Sequence, residues 1–209
     1  MIAKEGMPFL GIGIGLTVLL YWLFGEIGAS IGGILTLAVA YFFRDPPRKI
    51  PAKEGIVVSP ADGKILEVTQ VNEDRFLKRP AQKITIFLSV FNVHINRMPV
   101  SGRIKNIYYN PGKFLMAYAP KASLENEQNA VWLEGEKGRE FLVVQIAGWI
   151  ARRIVCKIGP GDFVERGQRF GLIRFGSRVD LYLPLGCELL VKPGDRVKGG
   201  ESILARLIG

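Results

Sequence analysis

The sequence predicts a mostly β fold, α+β at most: a compact barrel-sandwich-like β domain behind an N-terminal hydrophobic helical hairpin. Three observations carry this. From Met7 to Phe43 the only charged residue is Glu26, whereas charges are frequent from Arg44 onward. After Lys53 the chain breaks into short β-type runs separated by turns. No segment of helical length with a strong 3.6-residue period follows the hydrophobic part.

The hydrophobic part contains two apolar stretches, Met7–Phe24 and Ile27–Phe43, separated by Gly25-Glu26. Each is near the lower limit for crossing a bilayer, for which about 17–25 residues are needed. A helical hairpin fits, with Gly25, Glu26, Gly28 and Ser30 near its bend; a short re-entrant or interfacial anchor is the alternative. A cleaved signal peptide fits less well: Lys4 is the only basic residue before the apolar region, Glu5 follows it, and that region is too long. Gly11, Gly13 and Gly15 form a GxGxG, but no strand precedes them and the spacing does not suit a nucleotide loop. Close packing of two membrane helices across small residues is the better reading. Lys4 lies before the first stretch and Arg44, Arg48, Lys49 and Lys53 after the second, so the positive-inside rule puts both ends in the cytoplasm. Pro46-Pro47 then breaks any helix. This gives an anchor over residues 1–45 and a second domain over 46–209.

The strand-like runs are Ile56–Ser59, Gly63–Val68, Lys83–Leu88, Gly102–Tyr108, Val131–Glu134, Glu140–Ile146, Arg169–Arg174, Val179–Pro184 and Ser202–Leu207. The best helix candidates behind the anchor are short, around Lys121–Glu127 and Trp149–Ile154. Two internal echoes stand out. Pro60-Ala-Asp-Gly-Lys-Ile65 is similar to Pro99-Val-Ser-Gly-Arg-Ile104, and Gly161-Asp-Phe-Val-Glu-Arg-Gly167 to Gly194-Asp-Arg-Val-Lys-Gly-Gly200. In each a glycine turn releases a strand, as in small barrel sandwiches such as lipoyl or biotinyl carriers; mere turn chemistry is the other reading.

The formal net charge is +9, and residues from Arg44 onward carry 27 basic and 17 acidic side chains. A basic domain behind an apolar segment suits an anionic membrane surface, where each nearby Lys or Arg contributes about 1 kcal/mol. Nucleic acid is the weaker explanation, because no Arg/Lys run is interleaved with aromatics. Cys156 and Cys187 lie in apolar contexts without metal-ligand spacing, and there is one histidine, so a zinc site is disfavoured and two reduced, buried thiols are expected.

Three residues could carry chemistry. His94 follows the apolar run ending at Val90 and precedes a proline turn, where a side chain can reach a cleft; a structural histidine is the plainer reading. Asp62, in Ser59-Pro-Ala-Asp-Gly63, is either a turn residue or a carboxylate that orients a base. Ser177 follows Gly176 between two strand-like runs. There it could attack the Gly176 carbonyl if the peptide is strained and a base is near. Asp, His and Ser are the members of a nucleophile–base–orienter triad, which is recognised by geometry and not by order along the chain.

Taken together, Phe42-Phe-Arg-Asp-Pro-Pro-Arg48, Ser59-Pro-Ala-Asp-Gly63, Phe87-Leu-Ser-Val-Phe-Asn-Val-His94, Met98-Pro-Val-Ser-Gly102, Glu125-Asn-Glu-Gln-Asn129 and Phe175-Gly-Ser-Arg178 resemble the phosphatidylserine decarboxylase family. The similarity is to its short membrane-anchored branch, which includes archaetidylserine decarboxylases, and covers nearly the whole chain. The resemblance implies a proenzyme that cuts itself between Gly176 and Ser177 into residues 1–176 and 177–209. His94, oriented by Asp62, takes the Ser177 proton; the peptide shifts to an ester, elimination follows, and hydrolysis with loss of ammonia leaves Ser177 as a pyruvoyl group. That cofactor forms a Schiff base with the amine of a serine phospholipid, and carbon dioxide is lost to give the ethanolamine lipid; His94 is the candidate proton donor. No metal and no nucleotide is implied. The two fragments are expected to stay associated as a heterodimer at the cytoplasmic face of the cell membrane, with higher oligomers left open. Two positions depart from longer members: Arg97 replaces a second histidine and Asn92 an aspartate. Arg178 replaces a threonine; it could contact a phosphate or carboxylate, but a solvated strand residue is the plainer reading.

The competing readings are a membrane-tethered lipoyl- or biotinyl-like module, a structural adaptor and a serine hydrolase. Lys64 is flanked by Gly63 and Ile65 instead of the methionine usual beside a carrier lysine. No Gly-x-Ser-x-Gly surrounds Ser177.

Overall fold

The structure is a computed structural model and describes residues 1–112, 126–148, 153–174 and 177–208. It divides into two compact units, Met1–Pro47 and Arg48–Gly209.

In the first unit one helical element, α1 (Met7–Phe42), is broken at Gly25, whose φ of 61° and ψ of −143° lie outside the helical region. A straight helix of this length would hold its ends about 54 Å apart. Instead the ends meet: the Ala3 N–H donates to the Phe43 carbonyl at 2.8 Å, the Asp45 N–H donates to the Met1 carbonyl at 2.7 Å, and the Phe9 and Phe43 rings stack at 5.3 Å. The hairpin expected from the Gly25-Glu26 interruption is therefore present. Its arms are held by small residues. The Thr17 and Thr36 hydroxyls lie 3.1 Å apart, and a Cβ on Gly13 or Gly32 would collide with Thr36 or Thr17. Gly11 and Gly15 face open space, so only the middle glycine of the GxGxG is a packing residue. α1 is long and apolar enough to cross a membrane, and its Trp22, Phe24, Ile27 and Leu37 side chains are exposed.

Among the described residues the second unit contains fourteen strands: β1 (Ile56–Val58), β2 (Gly63–Glu73), β3 (Arg79–Leu88), β4 (Ile95–Arg97), β5 (Gly102–Asn110), β6 (Gln128–Glu134), β7 (Glu140–Ala147), β8 (Ile154–Cys156), β9 (Phe163–Val164), β10 (Arg169–Ile173), β11 (Ser177–Leu183), β12 (Cys187–Leu189), β13 (Arg196–Val197) and β14 (Ile203–Leu207). They form an eight-stranded antiparallel sheet in the order β13-β2-β3-β11-β7-β6-β5-β9 and two three-stranded sheets, β1-β14-β12 and β4-β10-β8. Each of the nine runs expected as strands contains one. The strands not anticipated, β4, β8, β9, β12 and β13, are two or three residues long and too short to show alternation. The helix candidate at Trp149–Ile154 falls mostly outside the described residues, and its last residue opens β8. Most of the candidate at Lys121–Glu127 is likewise outside them.

Side chains alternate across the large sheet. Ile65, Ile84, Ile86, Leu88, Val143, Val179 and Leu181 point to one face, where Val57, Phe170, Ile173 and Ala205 of the small sheets complete the core. Each fully buried branched side chain there contributes about 1.5–3 kcal/mol. On the other face Ala81, Leu142, Val144 and Ile146 pack under Phe76 and Leu77, which lie between β2 and β3. The mostly β, sandwich-like class is thus observed as one curled sheet closed over by two small ones. Cys187 is buried, and burial pushes its thiol pKa up; Cys156 is only half-buried, and both are free thiols.

The two sequence echoes are one structural repeat. β2 begins at Gly63 and pairs with β13, and β5 begins at Gly102 and pairs with β9, so the echoed segments pair with each other at opposite edges of the large sheet. Even the hydrogen bonds correspond. Ile65 N donates to Asp195 O and Gly194 N to Ile65 O, while Ile104 N donates to Asp162 O and Gly161 N to Ile104 O. Gly161 and Gly194 have φ of +90° and +100°, a region that favours glycine.

Candidate active site around Ser177

Ser177 opens β11, which lies between β3 and β7, and its register partners are Leu88 and Ala147. Residues 177, 179, 181 and 183 face the core, so the serine side chain is directed inward and is fully buried. Its Oγ has no hydrogen-bond partner. An unpaired buried hydroxyl costs about 1–3 kcal/mol, which marks a residue kept for more than packing. Phe175 and Gly176 lie outside the described residues.

His94 immediately precedes β4 and is 2% exposed. Its backbone carbonyl accepts from Ile173 N at 3.3 Å, at the end of the strand that leads to Ser177. Its Nδ1 lies 2.9 Å from the Asn92 carbonyl. A carbonyl only accepts, so Nδ1 carries the proton and Nε2 is the acceptor of the neutral ring. That is the tautomer a general base needs. Asn92 is itself held: its Oδ1 accepts from Ser89 N at 2.9 Å and from Ser89 Oγ at 2.7 Å. Ser89 follows Leu88, the register partner of Ser177, so one short loop ties the histidine to the serine's strand pair.

Asp62 is placed differently from the expected triad. Its carboxylate accepts two hydrogen bonds from Arg48, both at 2.9 Å, and one from Gly199 N at 2.8 Å. Its backbone segment does approach β4, because Arg97 N donates to Pro60 O at 2.9 Å. The structure thus brings Ser177 and the His94 segment together, while the group on His94 Nδ1 is the Asn92 carbonyl. Arg48, whose side chain is buried and bridges Asp62 and Glu201, was visible in the sequence as part of the Phe42–Arg48 motif and as one of the basic residues behind the apolar segment, not as a partner of Asp62.

Arg178 is not the solvated residue expected from its strand position. It points to the opposite face from Ser177, is 4% exposed, and makes a bidentate pair with Asp180, Nε to Oδ1 at 2.7 Å and Nη2 to Oδ2 at 2.6 Å. Burial alone would lower its pKa; the Asp180 hydrogen bonds and charge outweigh that, and the net shift is upward. Neighbouring Tyr182 is pushed up strongly, first by burial and then by the Asp180 charge. Asp180→Ala should therefore destabilise the domain by about 2–5 kcal/mol, because it removes the bidentate carboxylate from a buried cation. Denaturant midpoints measure this; a loss under about 1 kcal/mol would show that the pair contributes no more than a surface ion pair.

Sequence reasoning also missed a buried amide chain on the inner face. Asn129 Nδ2 donates to Gln145 Oε1 at 2.8 Å, and Gln145 Nε2 donates to Asn96 Oδ1 at 2.8 Å. The only signal was the Glu125–Asn129 motif, in which polar residues occupy what becomes a strand. No group of three or more metal-ligating side chains occurs among the described residues.

Comparison with known proteins gives the family. Residues 35–205 match the family model described as phosphatidylserine decarboxylase. The chain is 50% identical over 205 residues to a protein of Nitrosomonas europaea named phosphatidylserine decarboxylase proenzyme, covering 98% of this chain and 94% of that one. Proteins of the same name from Geotalea uraniireducens and Symbiobacterium thermophilum are 50% and 48% identical over 206 and 207 residues, each covering 99% of this chain and 96% of the relative. With a family model matching residues 35–205 and relatives about half identical along nearly its whole length, this chain belongs to the phosphatidylserine decarboxylase family.

Proposed function

We propose that this chain is a self-processing decarboxylase that converts a phosphatidylserine-type lipid to the ethanolamine lipid and carbon dioxide. The observation that carries the reading is Ser177: a buried hydroxyl with no partner, at the start of a central strand and beside the His94 segment. Cutting falls at Gly176–Ser177, with His94 Nε2 taking the Oγ proton as that oxygen attacks the preceding carbonyl. Asp62 supports the site through Arg48 and the Gly199 N–H, holding the segment that lies against β4.

The residues fit a carbonyl made from Ser177, since the position is enclosed by Leu88 and Ala147 and has no competing hydrogen bond. Such a pyruvoyl group supplies an electron sink for the bond to carbon dioxide, as organic cofactors do. The chain's own part is to keep water from the site, hold the lipid head there, and present a proton on His94 Nε2 to the carbon that loses carbon dioxide. Residues 177–209 contribute β11 to the centre of the large sheet, β13 to its edge, and β12 and β14 to a small sheet. Interleaved in this way, the fragments stay together after the cut as a heterodimer.

The test is intact mass under denaturing conditions. Two fragments split at Gly176–Ser177 are expected, the smaller lighter by one ammonia than a serine-started peptide. A single chain after prolonged incubation would sink the reading in favour of a tethered binding module.

The apolar hairpin supports a location at the cell membrane, and the flanking basic residues favour the cytoplasmic side. The second unit should then bind vesicles containing anionic lipid, and binding should weaken as salt is raised from low to physiological ionic strength. A chain beginning at Arg48, assayed by co-sedimentation, checks this; binding indifferent to salt and lipid charge would count against an electrostatic membrane face.

A further inference from the structure

Glu127 is a buried carboxylate that the cutting reaction does not use. It is 3% exposed. Its Oε1 accepts from the Tyr109 hydroxyl at 2.9 Å and from Ile154 N at 3.2 Å. Its Oε2 is buried without any partner. The hydrogen bond to Glu127, followed by burial, raises the Tyr109 pKa, so the phenol stays a neutral donor. Arg153 acts on Tyr109 from a distance, but no ion pair to Glu127 occurs among the described residues. Two neutral donors leave the charge of a buried carboxylate uncompensated, and such groups are ordinarily paired with a cation.

Two independent routes place this carboxylate at the Ser177 site. The first is the sheet. The β6–β7 ladder pairs Asn129 with Gln145 and Gln128 with Ile146, and it continues with Ala147 N donating to Glu127 O at 3.0 Å. Ala147 in turn pairs with Ser177. Glu127, Ala147 and Ser177 therefore form one row on the inner face, two strand spacings or about 10 Å across. Ala147, with its small methyl side chain, is the middle residue of that row. The second route runs through the small sheet. Ile154, whose N–H holds Oε1, pairs with Ile173, and Ile173 N donates to the His94 carbonyl.

We infer that Glu127 binds the ammonium group of the serine head, with Oε2 as its acceptor. This rests on the reading of Ser177 and His94 given above. Of the charged groups on a serine phospholipid head, the ammonium is the sole cation, and it must be brought next to position 177 for the amine to meet the carbonyl there. A row with the carbonyl at one end, a small alanine in the middle and an unpaired carboxylate at the other brackets the position that group would take. A charge-assisted hydrogen bond at Oε2 would also supply the cation that the buried carboxylate lacks.

The experiment uses the full-length protein in mixed micelles with phosphatidylserine or phosphatidylethanolamine. Cyanoborohydride fixes the lipid amine to the small fragment, and mass spectrometry reads the adduct. Hydroxylamine, uncharged at neutral pH, titrates the reactive carbonyl in each sample and normalises the result. Glu127→Gln should capture roughly 10- to 100-fold less of either lipid per reactive carbonyl than the wild type. Glu127→Asp, which keeps the charge, should recover part of that loss. Capture by Glu127→Gln equal to wild type, an equal loss in Glu127→Asp, or failure of Glu127→Gln to form any carbonyl would each overturn the assignment. A wild-type chain with no hydroxylamine-reactive carbonyl would overturn instead the reading of Ser177 beneath it.

Discussion

Ser177→Ala should remain a single chain of 23.2 kDa, with no decarboxylation above background, where the wild type yields two fragments. The expected effect is complete loss, because one residue serves two ends. On the proposed mechanism Oγ attacks the bond before it, and the same residue supplies the carbonyl that accepts the amine. The substitution removes a buried hydroxyl that has no hydrogen bond, so folding should be unharmed or slightly improved. Loss of cutting with an unchanged denaturant midpoint is thus the signature of chemistry. An uncut mutant that still decarboxylates would refute the pyruvoyl assignment.

His94→Gln should slow cutting, decarboxylation or both by about 10²–10⁴-fold, the usual contribution of a positioned general base or acid. Glutamine is preferred to alanine because His94 is buried, and a cavity would confuse stability with mechanism. The side-chain amide can still donate toward the Asn92 carbonyl, but it cannot take up a proton as Nε2 does. Single-turnover cutting and carbon dioxide release separate the two roles. If both rates match the wild type, His94 is a core residue and the base lies elsewhere.

Much of the site was legible because it is written in short, ordered motifs. Ser177 stands out as a serine after glycine between two strands, and His94 as the only histidine. The partners of those residues were not legible. Asp62 was expected to orient His94, yet its carboxylate meets Arg48, fourteen residues earlier, and Gly199, 137 residues later. Those contacts arise from chain segments that no spacing rule connects. The group that does orient His94 is a backbone carbonyl, which any residue at position 92 would carry. Arg178 was misread for a related reason. Strand alternation puts it opposite Ser177, but only the packing of Phe76 and Leu77 over part of that face decides that the face is not solvent.

The sequence by itself determined the composition-driven features: an apolar hairpin bent at a glycine, nine strands with legible runs, and glycine turns at the two echoed segments. These follow from hydrophobic period and backbone freedom, which are local properties. The tertiary structure alone decided that the echoed segments pair with one another at opposite edges of one sheet. It also decided which face each strand buries, that Arg178 and Asp180 are desolvated together, and that Glu127 stands in a row with Ser177. Those outcomes depend on register between strands distant in sequence, and register is set by the summed burial of whole faces rather than by any single residue.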